Sequence, residues 1–161
     1  MPDHSAFERH DHTGCVRGVL GRVEDICKRE GLRLTPVRRR VLEILLEAHA
    51  ATGAYDVLAR LSDEGLGTQP PVAYRALDFL VDHGFAHRIR RLNAFTACMH
   101  PGERHDPAFL ICRGCDTVAE ADTAAVRGAL DQAAGDAGFT VERAVIEAVG
   151  LCPACRGAEE A

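Results

Sequence analysis

The segment PPVAYRALDFLVDHGFAHRIRRLNAFTAC, residues 70–98, decides the fold of the first half of this 161-residue chain. Two prolines open it, as they often open a helix, and Gly84 supplies the left-handed residue that commonly ends one. Residues 85–91 and 94–98, joined by a turn at Leu92-Asn93, predict two strands of a hairpin. The apolar positions between the prolines and the glycine have helical spacing; they are Ala73, Ala76, Leu77, Leu80 and Val81.

Three further helices precede this segment. Apolar residues with helical spacing predict a first helix from Val16 to a cap at Gly31. Thr35-Pro36 is typical of a helix start, and the second helix is expected to continue to His49. A short third helix is predicted over residues 54–64. Helices followed by a hairpin indicate a winged-helix domain over residues 15–98, and the polar residues 1–14 are interpreted as a flexible tail.

The remainder of the chain predicts a second, smaller domain. Residues 99–107 are interpreted as a hinge, and residues 108–161 as an α/β unit with short strands at 108–112 and 117–119. A helix over residues 123–134 is expected to bury Val126 and Leu130, and a closing strand is expected over 141–149. The predicted class is therefore α+β. A unit of this size is marginally stable alone, so a metal ion or a partner subunit is expected to stabilise it.

Composition and charge exclude several classes of protein. Hydrophobic residues make up 47% of the chain and charged residues 27%, which is typical of a folded globular protein. No apolar run is long enough to span a membrane, and residues 1–12 have no signal-peptide centre, so we expect a cytoplasmic protein. The net charge of −5 argues against non-specific coating of nucleic acid. Residues 1–92 carry +1 and residues 93–161 carry −6, which favours different partners for the two halves.

Four of the seven cysteines form two Cys-x-x-Cys pairs, Cys112 with Cys115 and Cys152 with Cys155. Each pair can direct both sulfurs at one ion, and four thiolates are the ligands of a closed, structural zinc site. The alternatives are a redox dithiol or buried free cysteines. A thioredoxin-type motif follows a strand at the start of a helix, whereas the second pair is expected only to follow a strand. We therefore predict a structural zinc.

A second set of potential ligands surrounds the predicted domain junction. His87 and Cys98 belong to the two hairpin strands, His105 to the hinge, and Glu120 follows the first cysteine pair by five residues. One thiolate, two imidazoles and one carboxylate suit zinc better than iron or manganese. Spacing alone leaves two alternatives open, since such residues also occur as ordinary surface or core side chains. The competing candidates are His83, His100 and Glu103.

With these motifs in hand, the sequence resembles the ferric uptake regulator family and, within it, the zinc uptake regulator branch. The resemblance covers about residues 15–155. The segments that carry it are residues 32–38, 54–56, 70–80, 111–115 and 145–152, together with His87, Cys98 and Glu120. It implies a homodimer with an N-terminal winged helix and a C-terminal dimerisation domain that holds the four-cysteine zinc.

The same resemblance implies a regulatory zinc at His87, Cys98, His105 and Glu120, and hence two zinc ions per subunit. Cys98 distinguishes this branch from iron-sensing relatives. The implied function is zinc-dependent repression of zinc-uptake genes at operator DNA, with one ion joining the two domains. Residues 156–161 lack the histidine-rich tail of some family members, so the resemblance does not support a third metal site.

The fourth helix is the expected recognition helix. Arg75 is expected to pair with a guanine edge and Tyr74 to contact a phosphate or a thymine methyl. Arg38, Arg39 and Arg90 are expected to contact phosphates. The alternatives are a solvated helix face for the arginines of the second helix and a partly buried aromatic for Tyr74.

Three other functions are alternatives to this interpretation. An iron or peroxide sensor of the same family is the nearest, and a zinc-ribbon module that binds only protein is the second. Zinc deaminases combine His-x-Glu with Pro-Cys-x-x-Cys. This chain instead has His100-Pro-Gly-Glu103 and Cys152-Pro-Ala-Cys155, so we predict that it is not an enzyme.

Overall fold

The computed structural model describes residues 4–7, 11–47, 49–103 and 105–159. The chain divides into two compact units, each described here by itself. The N-terminal unit is Arg9–Glu103, and the C-terminal unit comprises Arg104–Ala161 together with Met1–Glu8. Among the described residues, no helix combines the length and the apolar character that crossing a membrane requires.

The N-terminal unit contains the four predicted helices: α1 His12–Glu30, α2 Pro36–Leu46, α3 Ala54–Asp63 and α4 Pro70–Asp82. Thr35 caps α2 as predicted, because its hydroxyl accepts a hydrogen bond from the Arg38 amide. Gly31 and Gly84 follow α1 and α4 with positive φ values of 67° and 72°. These start and stop signals are confirmed.

Two helix boundaries differ from the prediction. Helix α1 begins at His12 rather than Val16, because the Asp11 carboxylate accepts a hydrogen bond from the Thr13 amide and so caps it. Helix α2 ends at Leu46, short of His49. The chain leaves α2 there and brings Thr52 into a two-hydrogen-bond bridge with Phe95.

A hairpin follows the helices. Strands β1 Ala86–Ile89 and β2 Ala94–Ala97 pair antiparallel, with His87 opposite Thr96. The turn contains Asn93 with a φ of 46°, a conformation that asparagine tolerates. The helices and this hairpin form a winged helix, as the sequence predicts.

The core of the N-terminal unit is apolar and almost fully buried. Burial raises the pKa of the Cys27 thiol, with a smaller contribution from Glu30, so this cysteine packs as a neutral, small apolar side chain. The largest buried side chains of this core are Val19, Val23, Val41, Leu42, Leu45, Val57, Leu61, Leu77, Leu80 and Phe85.

The C-terminal unit consists of β3 Ala108–Cys112, β4 Val118–Ala121, α5 Ala124–Asp136, β5 Ile146–Gly150 and α6 Pro153–Glu159. Residues His4–Phe7 form a short 3₁₀ helix that belongs to the same unit. The sheet order is β4-β3-β5; β4 is antiparallel to β3, whereas β5 is parallel to it. The mixed α+β class is confirmed.

Three features of this unit differ from what the sequence predicts. The closing strand begins at Ile146 rather than Val141, and the short helix α6 was not predicted. The expected inner face of α5 is wrong: all of α5 is described, and none of its residues is buried. Val126 is 51% exposed and Leu130 40% exposed, so helical spacing identified an apolar face that this chain alone does not cover.

Candidate metal centres and nucleic-acid interface

The two Cys-x-x-Cys pairs meet at one edge of the C-terminal sheet. Strand β3 ends at Cys112 and strand β5 ends at Gly150, and these two residues are register partners. Because β3 and β5 are parallel, both pairs follow the ends of their strands on the same side. The four sulfurs of Cys112, Cys115, Cys152 and Cys155 lie within 4.8 Å of one another.

The spacing of these sulfurs suits zinc. A zinc–sulfur bond is about 2.3 Å long, so two sulfurs of a tetrahedral site lie about 3.8 Å apart. The Sγ atoms of Cys115 and Cys152 are 3.8 Å apart. Four soft sulfur ligands with this spacing fit a closed structural zinc rather than a catalytic zinc with an open position.

The protein prepares the site for a cation. Hydrogen bonds to the Cys112 sulfur, first of all from the Cys152 amide, lower the pKa of that thiol to about 6. The Cys152 amide lies 3.3 Å from the Cys112 Sγ. Hydrogen bonds with the neighbouring thiols, Cys152 first, raise the pKa of Cys155 to about 12. One sulfur is therefore ionised readily while another keeps its proton until a divalent ion compensates the crowded charge.

The expectation that the second cysteine pair only follows a strand, with no helix after it, is wrong. Helix α6 begins at Pro153, so Cys152 and Cys155 do lie after a strand at the start of a helix. The position of this pair therefore does not distinguish a redox motif from a pair of zinc ligands. The presence of Cys112 and Cys115 beside it favours zinc, because a redox dithiol needs no second pair of cysteines.

The predicted regulatory ligands occur as two pairs, one in each unit. In the N-terminal unit, His87 lies opposite Thr96 on the hairpin, and Cys98 follows two residues later. Positions 96 and 98 share one face of the ribbon, so His87 and Cys98 are diagonal neighbours. The Cys98 amide donates to the Phe85 carbonyl at 2.9 Å, and Cys98 is fully buried.

In the C-terminal unit, the Nε2 atom of His105 lies 3.1 Å from the Glu120 Oε2 atom. Glu120 is on β4 opposite Phe109 and is only 8% exposed. Buried carboxylates are usually paired or coordinate metals. The structure thus brings His105 and Glu120 together, as their assignment to one site requires. Of the competing candidates, His83 instead stacks against Phe79 with ring centroids 4.6 Å apart.

The arginines predicted to contact phosphate differ in their surroundings. The Arg38 guanidinium lies 3.8 Å from the Phe79 ring centroid and donates to the Arg33 carbonyl. Arg39 forms ion pairs with Glu24 and Glu43. Exposed ion pairs contribute little to stability, so Arg39 can exchange such a partner for a phosphate. Arg90 lies in the exposed turn of the hairpin.

The outer face of α4 carries Tyr74, which is 41% exposed, and Arg75, which is also exposed. The opposite face buries Ala73, Ala76 and Leu77. Tyr55, in the first turn of α3, is 70% exposed, and the sequence reasoning did not single it out. Its signal was available: residue 55 falls outside the apolar positions 54, 58 and 61 of its helix.

A group of apolar residues on the C-terminal unit is exposed in the isolated chain. Such residues are ordinary when scattered over a surface, whereas a contiguous group of them is typical of a surface that binds another protein. We call these residues the apolar surface; they are Val126, Leu130, Phe139, Val145 and Val149.

Comparisons with known proteins agree with this geometry. Residues 29–149 match the ferric uptake regulator family. The "Zinc uptake regulation protein" of Escherichia coli K12 is 37% identical over 138 residues, covering 85% of this chain and 81% of that protein. A solved structure described as "Zinc Uptake Regulator Complexed With Zinc AND DNA" is 35% identical, with a TM-score of 0.84 over 91% of this chain and 98% of that one. The "holo XcZur" structure is 37% identical, with a TM-score of 0.76 over 86% of this chain and 96% of that one.

Proposed function

Because the chain belongs to the ferric uptake regulator family, we propose that it is a zinc-responsive transcriptional regulator that binds operator DNA as a homodimer. It acts in the cytoplasm as a repressor of zinc-uptake genes. The observation that carries this proposal is the 37% identity to a zinc uptake regulation protein over 85% of the chain. The likeness to a zinc uptake regulator solved with zinc and DNA supports it.

We assign the structural zinc to Cys112, Cys115, Cys152 and Cys155. The spacing of the sulfurs and the amide hydrogen bond to Cys112 support the assignment. The ion supplies the positive charge that holds four thiolates together. Since it joins the residues that follow β3 and β5, it contributes directly to the stability of the C-terminal unit.

We assign the regulatory zinc to His87, Cys98, His105 and Glu120, which gives two zinc ions per subunit. The placement of His87 beside Cys98 and the contact between His105 and Glu120 support this assignment. The donor set also suits zinc, and its thiolate disfavours an iron sensor. These four residues would hold the zinc, and zinc bound there would favour one arrangement of the DNA-reading helices over the others.

The energy that this selection needs is modest. Changing a two-state equilibrium from 1:99 to 99:1 requires a preference of about 5.5 kcal/mol for one state. Structural zinc sites in small domains bind with about 10–16 kcal/mol. A fraction of the zinc-binding energy is therefore sufficient to control DNA binding.

The proposed DNA interface centres on α4 and also includes residues of α2, α3 and the hairpin. Arg75 can pair with guanine in the major groove, and Tyr74 lies beside it on the exposed face. Arg38, Arg39 and Arg90 fix the orientation through phosphates. We add Tyr55 to this interface because its ring is largely exposed on the same unit.

The apolar surface is the candidate dimer interface. A dimer gives two reading helices, and such helices bind half-sites separated by whole turns of DNA. Burial of Val126 and Leu130 between subunits also explains why helical spacing marks them as core residues. The proposed function therefore includes the homodimer.

Metal and DNA titrations test the proposal. We expect two zinc ions per subunit by elemental analysis, and operator binding that depends on zinc rather than on iron or manganese. Cys98→Ser should keep one zinc and lose zinc-dependent binding, whereas Cys15→Ser, also in the N-terminal unit, is the matched control. Iron-dependent binding in the wild type would favour the iron sensor, and binding by Cys98→Ser with unchanged zinc dependence would contradict the regulatory site. Absence of DNA binding under all conditions would favour a protein-interaction module.

A further inference from the structure

Two histidines of the N-terminal unit meet outside both zinc sites assigned above. His12 is the first residue of α1, and His49 follows the end of α2 by three residues. Their ring centroids are 4.8 Å apart, with an angle of 68° between the ring planes. The residues are 37 positions apart in the sequence, so this contact arises from the packing of the unit.

A hydrogen bond fixes the proton on one of these rings. The Nε2 atom of His12 lies 3.0 Å from the carbonyl oxygen of Glu47, the C-cap residue that follows α2. A carbonyl oxygen only accepts hydrogen bonds, so Nε2 carries the proton. In the neutral ring the lone pair is then on Nδ1. Metal-binding histidines are commonly held in this way, with one ring N–H donated to a backbone carbonyl and the other nitrogen bound to the ion.

The separation of the rings also suits a shared ion. A zinc–nitrogen bond is about 2.0–2.1 Å long, which places the centroids of two imidazoles on one tetrahedral ion about 5 Å apart. The observed separation of 4.8 Å is close to this value.

The carboxylates near the two rings are already bound by other groups, which leaves the imidazole nitrogens as the metal ligands. The Glu47 carboxylate is bound by Arg60 at 2.5 Å and by Arg40 at 3.0 Å. The Asp11 carboxylate caps α1 at the Thr13 amide and adds negative charge next to His12. Two guanidinium groups neutralise the Glu47 carboxylate, so the Asp11 carboxylate is the negative charge that remains next to His12.

We propose that His12, through Nδ1, and His49 bind a further divalent cation of the kind that prefers imidazole, such as zinc. Water completes the coordination, so this site is weaker than the two sites that contain thiolates. The ion joins the first turn of α1 to the chain that follows α2. The site is independent of the proposed regulatory function, because none of its residues belongs to the other metal sites or to the DNA interface.

Zinc titration of the full-length chain, with both thiolate sites already loaded, tests the proposal. Calorimetry should show one additional zinc per subunit. Long-range proton–nitrogen spectra of the histidine rings should show the His12 Nδ1 and one His49 nitrogen shifting while the His12 Nε2 keeps its proton. His12→Gln preserves a donor for the Glu47 carbonyl but removes the ligand. It should weaken this event by more than the roughly 10–100-fold typical of losing a second-shell partner.

The control variants locate the site. His49→Ala should give the same loss as His12→Gln, and His83→Ala, in the same unit but against Phe79, should bind zinc as the wild type does. The proposal is overturned if no additional zinc binds. It is also overturned if His4→Ala combined with His10→Ala removes the event while His12→Gln retains it, since the histidines of the first ten residues would then be the ligands.

Discussion

At the scale of single residues, Gly114 permits the close approach of the two cysteine pairs. A Cβ atom at residue 114 would lie 3.0 Å from the Cys155 Sγ and 3.1 Å from the Cys155 Cβ. Such contacts are tighter than nine in ten of those that real Cβ atoms make, so a larger residue at this position requires Cys155 to shift by a few tenths of an ångström. The glycine between the first two cysteines therefore lets the two pairs pack closely without that shift.

We predict that Gly114→Ala lowers the affinity for the structural zinc by roughly tenfold or more, in the range found when support for a ligand is lost. Competition with a chromophoric chelator measures this affinity. Gly128→Ala is the matched control, because a Cβ at residue 128 of α5 meets no atom within 4 Å. Equal zinc affinities for the two variants would contradict this prediction, because they would show that a Cβ at residue 114 is accommodated without loss.

Arg75 and Arg39 should differ in how they affect DNA binding. Arg75→Ala is expected to cost about 1–3 kcal/mol and to relax specificity at one base pair, since a base contact is lost. Arg39→Ala is expected to weaken binding to all sequences and to reduce the salt dependence. Fluorescence anisotropy with operators selected from random DNA, and with single-base variants of them, separates the two effects. If Arg75→Ala weakened binding to all sequences equally, Arg75 would contact a phosphate and not a base.

At the scale of elements, Arg40 connects α2 to the chain that follows α3. Its guanidinium binds Glu64 through two hydrogen bonds, of 2.6 Å and 2.8 Å, and also contacts Glu43 and Glu47. The hydrogen bond from Arg40 lowers the pKa of Glu64. Burial tends to raise the pKa of Glu47, but the hydrogen bonds from Arg60 and Arg40 outweigh it and lower that pKa.

These shifts predict acid sensitivity of the α2–α3 pair. A carboxylate whose pKa is lower in the folded state stabilises it above the ordinary value of about 4.5, and this stability is lost as the pH falls through the lowered pKa. Hydrogen exchange of the α2 and α3 amides should therefore speed up between about pH 5 and pH 3, beyond its intrinsic pH dependence. Glu64→Gln is the control, because it removes the titrating group. Zinc is lost from both proteins at low pH, so its loss does not account for a difference between them. An identical pH profile for the two proteins would contradict the role of Glu64.

The sequence predicted those elements whose ends carry local signals. Thr35, Pro36, Gly31 and Gly84 act through their own backbones or their nearest neighbours, so the boundaries that they mark are confirmed. Helix α6 does begin at a proline, Pro153, but the spacing of Cys152 and Cys155 predicts a metal-binding turn at this position instead. The end of α2 depends on the bridge between Thr52 and Phe95, a contact across 43 residues that periodicity cannot show.

The sites divide in the same way. Two Cys-x-x-Cys pairs identify a four-cysteine cluster by their local spacing, and the structure brings them together. The contact between His105 and Glu120 depends on where the chain before β3 passes β4, which no local pattern records. The meeting of His12 and His49 likewise depends on the packing of α1 against α2.

At the scale of the whole molecule, the apolar surface connects fold to assembly. Sequence periodicity marks Val126 and Leu130 as buried, whereas the isolated chain exposes them. Both observations hold if a second copy of the chain covers the surface. Periodicity reports that a side chain avoids water, but it does not report which molecule provides the cover.

We predict that Leu130→Asp shifts the protein from dimer to monomer, because a charge would be buried without a partner at the interface. Sedimentation velocity over a range of concentrations measures this shift, and zinc-dependent DNA binding should fall with it. Gln132→Asp places the same charge on the opposite face of α5 and should leave the dimer intact. A dimer of wild-type affinity in the Leu130→Asp protein would exclude α5 from the interface.

Strand β5 pairs with β3 but is synthesised later, so the two cysteine pairs leave the ribosome at different times. Cys115 precedes Cys152 by 36 intervening residues. At about 5–20 residues per second, ribosomes therefore expose the first two thiolates roughly two to seven seconds before the others. During that interval Cys112 and Cys115 lack the second pair of thiols, and the edge of β3 that β5 later covers has no partner strand. The C-terminal unit is therefore completed only when the last segment of the chain joins the sheet.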